Sequence, residues 1–298
     1  MKKIFYFILF FSLRAETVSP SLFSWFSASK LAQAGGGSLI ITPTSRSGNA
    51  ANSLLGRRFS TSFILYPAGI QAQSVALSIP KVDKLITAGI NHLSYGTFQG
   101  FDENAIPTNN YTASDTWFRI GYSGLLKRFP IRYGINNQLL SSSLENYNLT
   151  QYYCSLGLIW EIKKYKIDIG FSTNDILLIE NSFNNSDENS SIKYNLGIYK
   201  QLAYLPLEIS IDYLIINSSN IKDYFISGIF SISKNFTLSL GTSTRKYSQN
   251  INQSVINTIL GSSGVGINYI NKEIAVSYGL YFYGTGGWTN GLDLSINF

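Results

Sequence analysis

The feature that most constrains the fold of this chain is an alternation of apolar and polar residues that recurs from about Phe59 to Phe298. In residues Tyr165–Ser172, for example, Tyr, Ile, Ile and Phe alternate with Lys, Asp, Gly and Ser. Successive side chains of a β-strand point to opposite faces of a sheet, so each such segment has one apolar face and one polar or small face. The pattern predicts an all-β protein.

The links between these segments alternate between short and long. The short links are expected at Pro80–Lys84, Leu126–Pro130, Lys163–Lys164, Leu202–Pro206, Lys234–Asn235 and Asn271–Lys272, and the longer links at Gly96–Asp115, Ser142–Leu149, Thr173–Ser191, Ser218–Lys222, Arg245–Ser263 and Gly284–Thr289. A transmembrane barrel has short turns on one side and longer loops on the other, whereas a Greek-key sandwich has no reason to keep that order. With Phe59–Tyr66 as the first strand, we expect a transmembrane antiparallel β-barrel of about 14 strands.

The composition agrees with a membrane barrel. Only 13% of the residues are charged, against about a quarter in a typical soluble domain. No apolar run of about 20 residues follows the first 15 residues, so the sequence predicts no transmembrane helix. A spanning protein without such helices must be a closed barrel, and we therefore expect the bacterial outer membrane.

The net charge of +6 is not concentrated on one predicted face, so no nucleic-acid partner is expected. Lysines do recur in the short turns. They are Lys81, Lys84, Lys127, Lys163, Lys164, Lys234 and Lys272. Simple solvation of the turns is the favoured explanation, and attraction to anionic lipid headgroups is the alternative.

The chain begins like an exported protein. Two lysines precede the apolar run Ile4–Phe11, and residues 1–15 are expected to be a signal peptide, with cleavage after Ala15 or as late as Ala34. Residues 16–58 are then an N-terminal periplasmic or hatch segment, and residues 59–298 form the barrel. A lumen inside about 14 strands is too wide to be filled by wall side chains, which favours a plug folded inside; an exposed linker is the alternative.

Signals for chemistry are sparse. His92 and Ser94 share one face of a predicted strand, which resembles the arrangement in outer-membrane phospholipases, but a wall histidine is the favoured interpretation. Asp102, Glu103 and Asp115 lack the spacing of a calcium loop. No phosphate-binding glycine loop, dinucleotide fingerprint or Cys/His metal cluster is present in the sequence. We therefore expect no catalytic residues, no cofactor, no metal and no enzymatic activity.

One stretch of sequence resembles a known family. Tyr95–Glu103, followed by Tyr111–Asp115 and by Ile120-Gly121-Tyr122, is similar to the PorV/PorQ family of outer-membrane barrels, as are Tyr133–Asn136, Leu140–Tyr147 and Tyr204–Glu208. The residues that carry the motif, and that the resemblance makes candidates for partner contacts, are Tyr95, Gly96, Thr97, Phe98, Asp102, Glu103, Thr112, Ala113, Ser114 and Asp115.

The resemblance implies a barrel related to the FadL type, with 14 strands and an N-terminal hatch. It also implies an accessory role in type IX secretion or in surface attachment of cargo, with secretion-pathway proteins and cargo as partners besides outer-membrane lipid. Phe298, a terminal aromatic on the last strand, is the expected signal for the barrel-assembly machinery.

Other functions stay open at this point. The first alternative is a FadL-like channel for hydrophobic small molecules, which predicts an apolar lumen pocket beside the hatch and a lateral opening in the wall. A lipid-cleaving enzyme and a purely structural barrel are further alternatives.

Overall fold

The structure, a computed structural model, describes residues 20–52, 56–102, 104–126, 128–145, 147–181, 191–217, 221–248 and 255–298. Its strands are β1 (Arg58–Leu65), β2 (Gln71–Lys81), β3 (Lys84–Phe98), β4 (Tyr111–Leu126), β5 (Ile131–Leu144), β6 (Tyr147–Ile162), β7 (Ile167–Asn181), β8 (Lys193–Gln201), β9 (Leu207–Ile216), β10 (Ile221–Ser231), β11 (Phe236–Ser243), β12 (Ser263–Ile270), β13 (Ile274–Phe282) and β14 (Trp288–Asn297). Each strand pairs with its sequence neighbours, and β1 pairs with β14 to close the barrel. The predicted strand number and antiparallel closure are confirmed.

Helical elements are short in the described part of the chain. They are α1 (Ala28–Ala32), α2 (Arg245–Ser248) and α3 (Val255–Leu260), with single 3₁₀ turns at Pro20–Leu22, Pro67–Gly69, Lys163–Tyr165 and Gly284–Gly286. Among the described residues, no helix has the length and apolarity needed to cross a membrane.

The wall has two chemically different faces. Large apolar side chains such as Phe63, Val75 and Phe118 are exposed on the outside, while the alternate positions, such as Ser62 and Ser74, are buried on the inside. A closed sheet with an apolar outer band satisfies its backbone hydrogen bonds internally and faces lipid. The protein is therefore a membrane-spanning barrel, and it belongs in the bacterial outer membrane.

The two rims of the barrel differ in the length of their links. We call the rim that carries both ends of the barrel and the link 82–83 the turn side, and the opposite rim, with the links 99–110 and 244–262, the loop side. The turn side faces the periplasm in barrels of this type.

Three of the predicted long links are shorter than expected. The β3–β4 link is 99–110 rather than Gly96–Asp115, and the β5–β6 link is 145–146 rather than Ser142–Leu149. The third was predicted at Thr173–Ser191, but β7 continues to Asn181. The reason is that cross-strand pairing continues past the membrane, as far as Phe98↔Tyr111 and Leu144↔Tyr147. Strands β3–β7 have 14–16 residues, whereas about 9–11 residues suffice to span.

The ladder between β7 and β8 is interrupted. Pairing stops at Asn174↔Lys193, so within the described residues 175–181 of β7 pair only with β6. Asp175 at this point has a φ of 60°, and the β6–β7 register shifts at Tyr152/Tyr153 and Cys154/Leu156. We call this interruption the β7–β8 seam.

Residues 20–52, here the N-terminal segment, lie against the inner face of the wall. Phe26, Ala28 and Leu31 are almost completely buried, and α1 contacts β11–β14 and β1. The expected signal peptide, residues 1–15, lies outside the described residues.

Candidate functional site

The candidate site is the lumen, where the N-terminal segment meets the inward-facing side chains of the wall. Its first anchor is Asp293, near the middle of β14. The carboxylate of Asp293 accepts hydrogen bonds from the backbone N–H groups of Ala28 (2.7 Å) and Ser29 (3.0 Å) and from the hydroxyl of Ser27 (2.7 Å). The first N–H groups of a helix have no partner within the helix, so this wall carboxylate satisfies the start of α1.

The second anchor is Asp212, an inward residue of β9. It accepts hydrogen bonds from the backbone N–H groups of Gly37 (2.7 Å) and Ser38 (3.1 Å) and from the Ser38 hydroxyl. Nearby, the ammonium of Lys30 donates to the carbonyl oxygens of Gly36 (2.9 Å) and Gly37 (2.6 Å). Burial lowers the pKa of Lys30 to about 8, and the attraction of Asp212 offsets only part of this effect.

The third anchor is a buried cluster of charges at the β7–β8 seam. Asp175 forms ion pairs with Arg46 of the N-terminal segment and with Lys193 of β8, whose ammonium lies 2.7 Å from the carboxylate. Both cations also donate to the carbonyl oxygen of Leu22. A buried charge is stable only when it is paired and hydrogen-bonded, and this cluster meets that condition by joining two parts of the segment to the wall.

Arg46 also contributes to an aromatic contact. Its guanidinium lies 4.2 Å from the ring centroid of Trp117, an inward residue of β4. The indole N–H of Trp117 donates to the hydroxyl of Ser21 at 3.0 Å. Trp117 therefore links the charged cluster with the apolar part of the lumen.

Further polar side chains fix residues 43–49. Arg119 of β4 donates to the carbonyl oxygens of Pro43 and Ser45, and the amide of Asn91 donates to the carbonyl oxygen of Thr44 at 2.8 Å. In the opposite sense, Asn49 of the segment donates to wall carbonyl oxygens of β6 and β7. The anchors thus come from strands all around the barrel.

Inward-facing glycines let the segment approach the wall closely. A methyl group added at Gly264 would lie 2.0 Å from the carbonyl oxygen of Leu31, and one added at Gly279 would lie 2.0 Å from that of Ala28. Such separations are impossible, so these positions require glycine while α1 is in place. An added methyl group would lie 2.5 Å or less from an atom of residues 28–51 at Gly134, Gly157, Gly170, Gly197, Gly241, Gly264, Gly266 and Gly279.

The loop-side half of the lumen is apolar. A cluster of buried side chains combines five residues of the N-terminal segment with inward residues of the wall. Its members are Leu22, Trp25, Phe26, Leu31, Ala34, Ile64, Ala72, Leu93, Trp117, Leu140, Tyr153 and Tyr281. Trp25 packs edge-on against Tyr281, with 4.6 Å between ring centroids, and Tyr66, Tyr95 and Tyr283 extend the cluster toward the loops. We call this set the aromatic cluster.

The turn-side half has a mixed lining. A cavity of about 210 Å³ lies between the segment and the wall. Its lining combines polar and charged side chains such as Gln33, Arg58 and Glu208 with apolar ones such as Ile40 and Ile270. Charged groups therefore line the turn-side half of the lumen, and the three carboxylate anchors lie between it and the aromatic cluster.

The motif residues predicted as partner contacts do not form one loop. Tyr95, Gly96, Thr97 and Phe98 end β3, and Thr112, Ala113, Ser114 and Asp115 begin β4. The hydroxyl of Tyr95 donates to Asp115 at 2.7 Å, and Phe98 stacks on Tyr111 at 5.5 Å. Much of the motif is therefore explained by pairing within this hairpin. A role in partner contacts stays a prediction.

Other predicted residues have structural roles. Asp102 accepts the backbone N–H groups of Asn104 and Ile106, each at 2.9 Å, and so orders its own loop. Glu103 lies outside the described residues. His92 contacts the Thr116 hydroxyl at 2.9 Å on the outer face.

Phe298 and possible metal ligands were also considered as functional residues from the sequence. Phe298 is exposed and its backbone N–H donates to Arg57, while its role in barrel assembly stays a prediction. The described residues contain no group of His, Cys, Asp and Glu placed to hold a metal ion.

The anchors Asp175, Asp212 and Asp293 are not among the residues predicted from the sequence. Their signal was available, because an acidic residue in the middle of a spanning strand is costly unless it faces a partner in the lumen. The partner itself lies far away in sequence and was not identified.

No family model matches the chain, and no curated protein matches it in sequence. Solved structures do match in fold. A mutant of the monoaromatic hydrocarbon channel TodX is 12% identical with a TM-score of 0.61, and the match covers 92% of this chain and 99% of that one. The monoaromatic hydrocarbon channel CymD is 9% identical with a TM-score of 0.61, covering 92% and 98%. A Pseudomonas aeruginosa FadL homologue is 10% identical with a TM-score of 0.53, covering 95% and 100%.

These similarities correct the predicted function. The role in type IX secretion, inferred from the PorV/PorQ resemblance, is wrong: the similar structures include hydrocarbon channels, a toluene transporter and a FadL homologue. That the chain is not an enzyme stays a prediction. The chain has the fold of the 14-strand FadL-type outer-membrane barrels.

Proposed function

We propose that this protein is an outer-membrane channel for hydrophobic small molecules, with the N-terminal segment as a hatch inside the lumen. The observation that carries the proposal is the aromatic cluster, because it is formed jointly by the segment and the loop-side wall. An apolar solute that enters from the loop side meets an apolar surface there, and burial of apolar area drives binding. The names of the similar structures, monoaromatic hydrocarbon channels and a toluene transporter, support this solute class.

A hatch explains why the segment is held by polar contacts rather than by the aromatic cluster alone. The anchors Asp175, Asp212 and Asp293 are hydrogen bonds and ion pairs of defined geometry, so they fix one position of the segment. An apolar solute in the cluster replaces apolar contacts without breaking these anchors. The segment can then shift locally while it remains attached.

The direction of exit follows from the two halves of the lumen. Below the aromatic cluster the lining includes the charged side chains of Arg58 and Glu208. Passage of an apolar solute past them would take water from charged groups, which disfavours a straight path into the periplasm. The β7–β8 seam offers another route, because residues 175–181 lack a partner on β8 in the described part of the chain. We place the lateral opening of the channel at this seam, where Arg46 and Lys193 meet Asp175.

The position of α1 in the lumen also bears on where the signal peptide is cleaved. Cleavage after Ala34 would remove α1, which is packed against β12–β14, together with Trp25 and Leu31 of the aromatic cluster. Cleavage after Ala15 keeps the whole hatch. We therefore propose the earlier site.

Uptake by purified protein in liposomes tests the channel function. Leu140 is fully buried in the aromatic cluster, so Leu140→Asn places an amide in the apolar surface. We expect uptake of toluene to fall about tenfold or more, in line with the cost of burying an unpaired polar group. Ser141→Asn is the matched control, because Ser141 is the next residue and is exposed.

Two outcomes would contradict the proposal. One is that the wild-type protein carries a polar solute of similar size as fast as toluene, which would indicate an unselective pore. The other is that toluene uptake is the same in the Leu140 variant and in the wild type.

A further inference from the structure

The turn side of the barrel carries a strong excess of exposed positive charge. Around this rim, the exposed basic side chains are Arg57, Lys81, Lys84, Arg128, Lys163, Lys164, Lys166, Lys200, Lys234 and Lys272. Among the described residues of the same rim, Glu273 has the exposed acidic side chain. Other acidic groups there are half-buried, and Glu161 and Asp168 pair with Arg132. We call these ten side chains the cationic ring.

The loop side does not show the same excess. Its described residues expose the carboxylates of Asp102 and Glu145 and the ammonium of Lys222. If the lysines served only to keep links soluble, both rims would need them equally, because both reach into water. The asymmetry therefore points to a partner on the turn side.

The cationic ring lies at the edge of the lipid-facing surface. Lys84 is two residues before the exposed Ile86 on β3, and Lys200 is two residues after the exposed Ile198 on β8. Residues two apart on a strand share a face and are separated by about 6–7 Å. Long lysine side chains bury their stems on an apolar surface and keep the ammonium at its polar edge, so these groups lie at the depth of lipid headgroups.

Aromatic side chains strengthen this placement. The ammonium of Lys84 lies 5.7 Å from the Tyr122 ring, and that of Lys164 lies 5.4 Å from the Tyr165 ring. Tyrosine prefers the interface between membrane and water. The cations and the aromatic rings thus form one girdle at this interface.

From this arrangement we propose that the cationic ring binds anionic phospholipid headgroups in the membrane leaflet on the turn side. An ammonium or guanidinium group donates hydrogen bonds to a phosphodiester oxygen, and each basic group near an anionic surface adds to the attraction. Because the cations are distributed around the barrel, the surface binds several lipids rather than one. This interaction is independent of what the lumen carries.

Native mass spectrometry of the detergent-purified protein, incubated with phosphatidylglycerol and phosphatidylethanolamine in equal amounts, tests the proposal. We expect the wild type to retain several times more phosphatidylglycerol at low salt, with the preference falling as salt screens the charges. The double variant K163Q/K164Q should lose part of the preference, and K163Q/K164Q/K234Q/K272Q should lose most of it. The matched control is K222Q/K246Q on the loop side, which should keep the preference.

Three results would overturn the proposal. Equal retention of the two lipids by the wild type is one, and loss of the preference in the loop-side control but not in the turn-side variants is another. In the third, neither protein prefers one lipid, and the wild type binds isolated peptidoglycan whereas the quadruple variant does not. This result would assign the cationic ring to an anionic wall polymer. Heat-dependent mobility in gel electrophoresis verifies that each variant retains a folded barrel.

Discussion

At the scale of single residues, the lumen combines charges that would each be unstable alone. Asp175, Asp212 and Asp293 are almost fully buried, and each is satisfied by the N-terminal segment rather than by its own strand alone. Lys30 is buried as well, with carbonyl oxygens as its hydrogen-bond partners. The segment therefore depends on the protonation states of a few groups.

The buried Lys30 predicts a pH dependence of stability. Burial lowers its pKa from 10.5 to about 8, so between these values the unfolded state binds more protons and stability rises with pH. The loss of stability that comes from burying the charged ammonium is complete below about pH 8 and absent above about pH 10.5. Lys30→Met removes this titration.

Urea unfolding of both proteins at pH 7.5 and pH 10 measures the effect. The free energy of unfolding of the wild type, relative to that of the Lys30→Met variant, should increase by about 2 kcal/mol between these values. If the difference in unfolding free energy between the two proteins did not change with pH, burial would not lower the pKa of Lys30.

At the scale of elements, α1 is held by the shape of the strands beneath it. The carbonyl oxygen of Leu31 lies where a side chain at Gly264 would begin, so helix and strand fit only because β12 has glycine there. The hairpin of β3 and β4 shows the complementary effect. Asp115, which the sequence places in the link Gly96–Asp115, belongs to β4 and accepts a hydrogen bond from Tyr95 of β3.

Gly264→Ala is predicted to displace α1 without unfolding the barrel. The added methyl group would lie 2.0 Å from the Leu31 carbonyl oxygen, and overpacking of this kind costs about 1–3 kcal/mol. Hydrogen exchange of the Ala28 and Ser29 amides, which donate to Asp293, should become about tenfold faster. Gly228→Ala is the control, because its methyl group would meet ordinary contacts at 3.5 Å or more. Unchanged exchange in the Gly264 variant would contradict the position of α1.

At the scale of the whole molecule, the barrel and the N-terminal segment are stabilised differently. The barrel is a closed sheet in which each strand pairs with both of its neighbours, so its backbone hydrogen bonds lie within the wall. The segment contains no strand among its described residues and depends on the anchors and the aromatic cluster. Detaching the segment should therefore leave a folded but permeable barrel.

Replacing all three anchors, as D175N/D212N/D293N, tests this separation. We expect the variant to keep the heat-dependent mobility of a folded barrel and to conduct small ions in planar bilayers, whereas the wild type should conduct little. Without the Asp175 charge, the positive charges of Arg46 and Lys193 are no longer balanced. Their repulsion further favours detachment of the N-terminal segment from the wall. A variant as closed as the wild type would show that the anchors do not hold the N-terminal segment in the lumen.

Much of the fold could be predicted from the sequence, and less of the site. The period of two and the order of the links predict 14 strands and the membrane location, because both depend on residues close together in sequence. The PorV/PorQ resemblance failed as a guide to function. Its motif lies largely in the β3–β4 hairpin, where the Tyr95–Asp115 contact and the Asp102 turn already account for several of its residues.

The sequence by itself determined that this protein is a lipid-facing barrel, since the apolar side of each strand has to face something other than water. Only the tertiary structure decided what the inner side of the wall contacts. Asp212 meets Gly37 and Asp293 meets Ala28 across 175 and 265 residues of chain, and the glycines beneath α1 matter only because a backbone lies against them. Such contacts depend on the closure and register of the whole barrel, and no local pattern of residues encodes them.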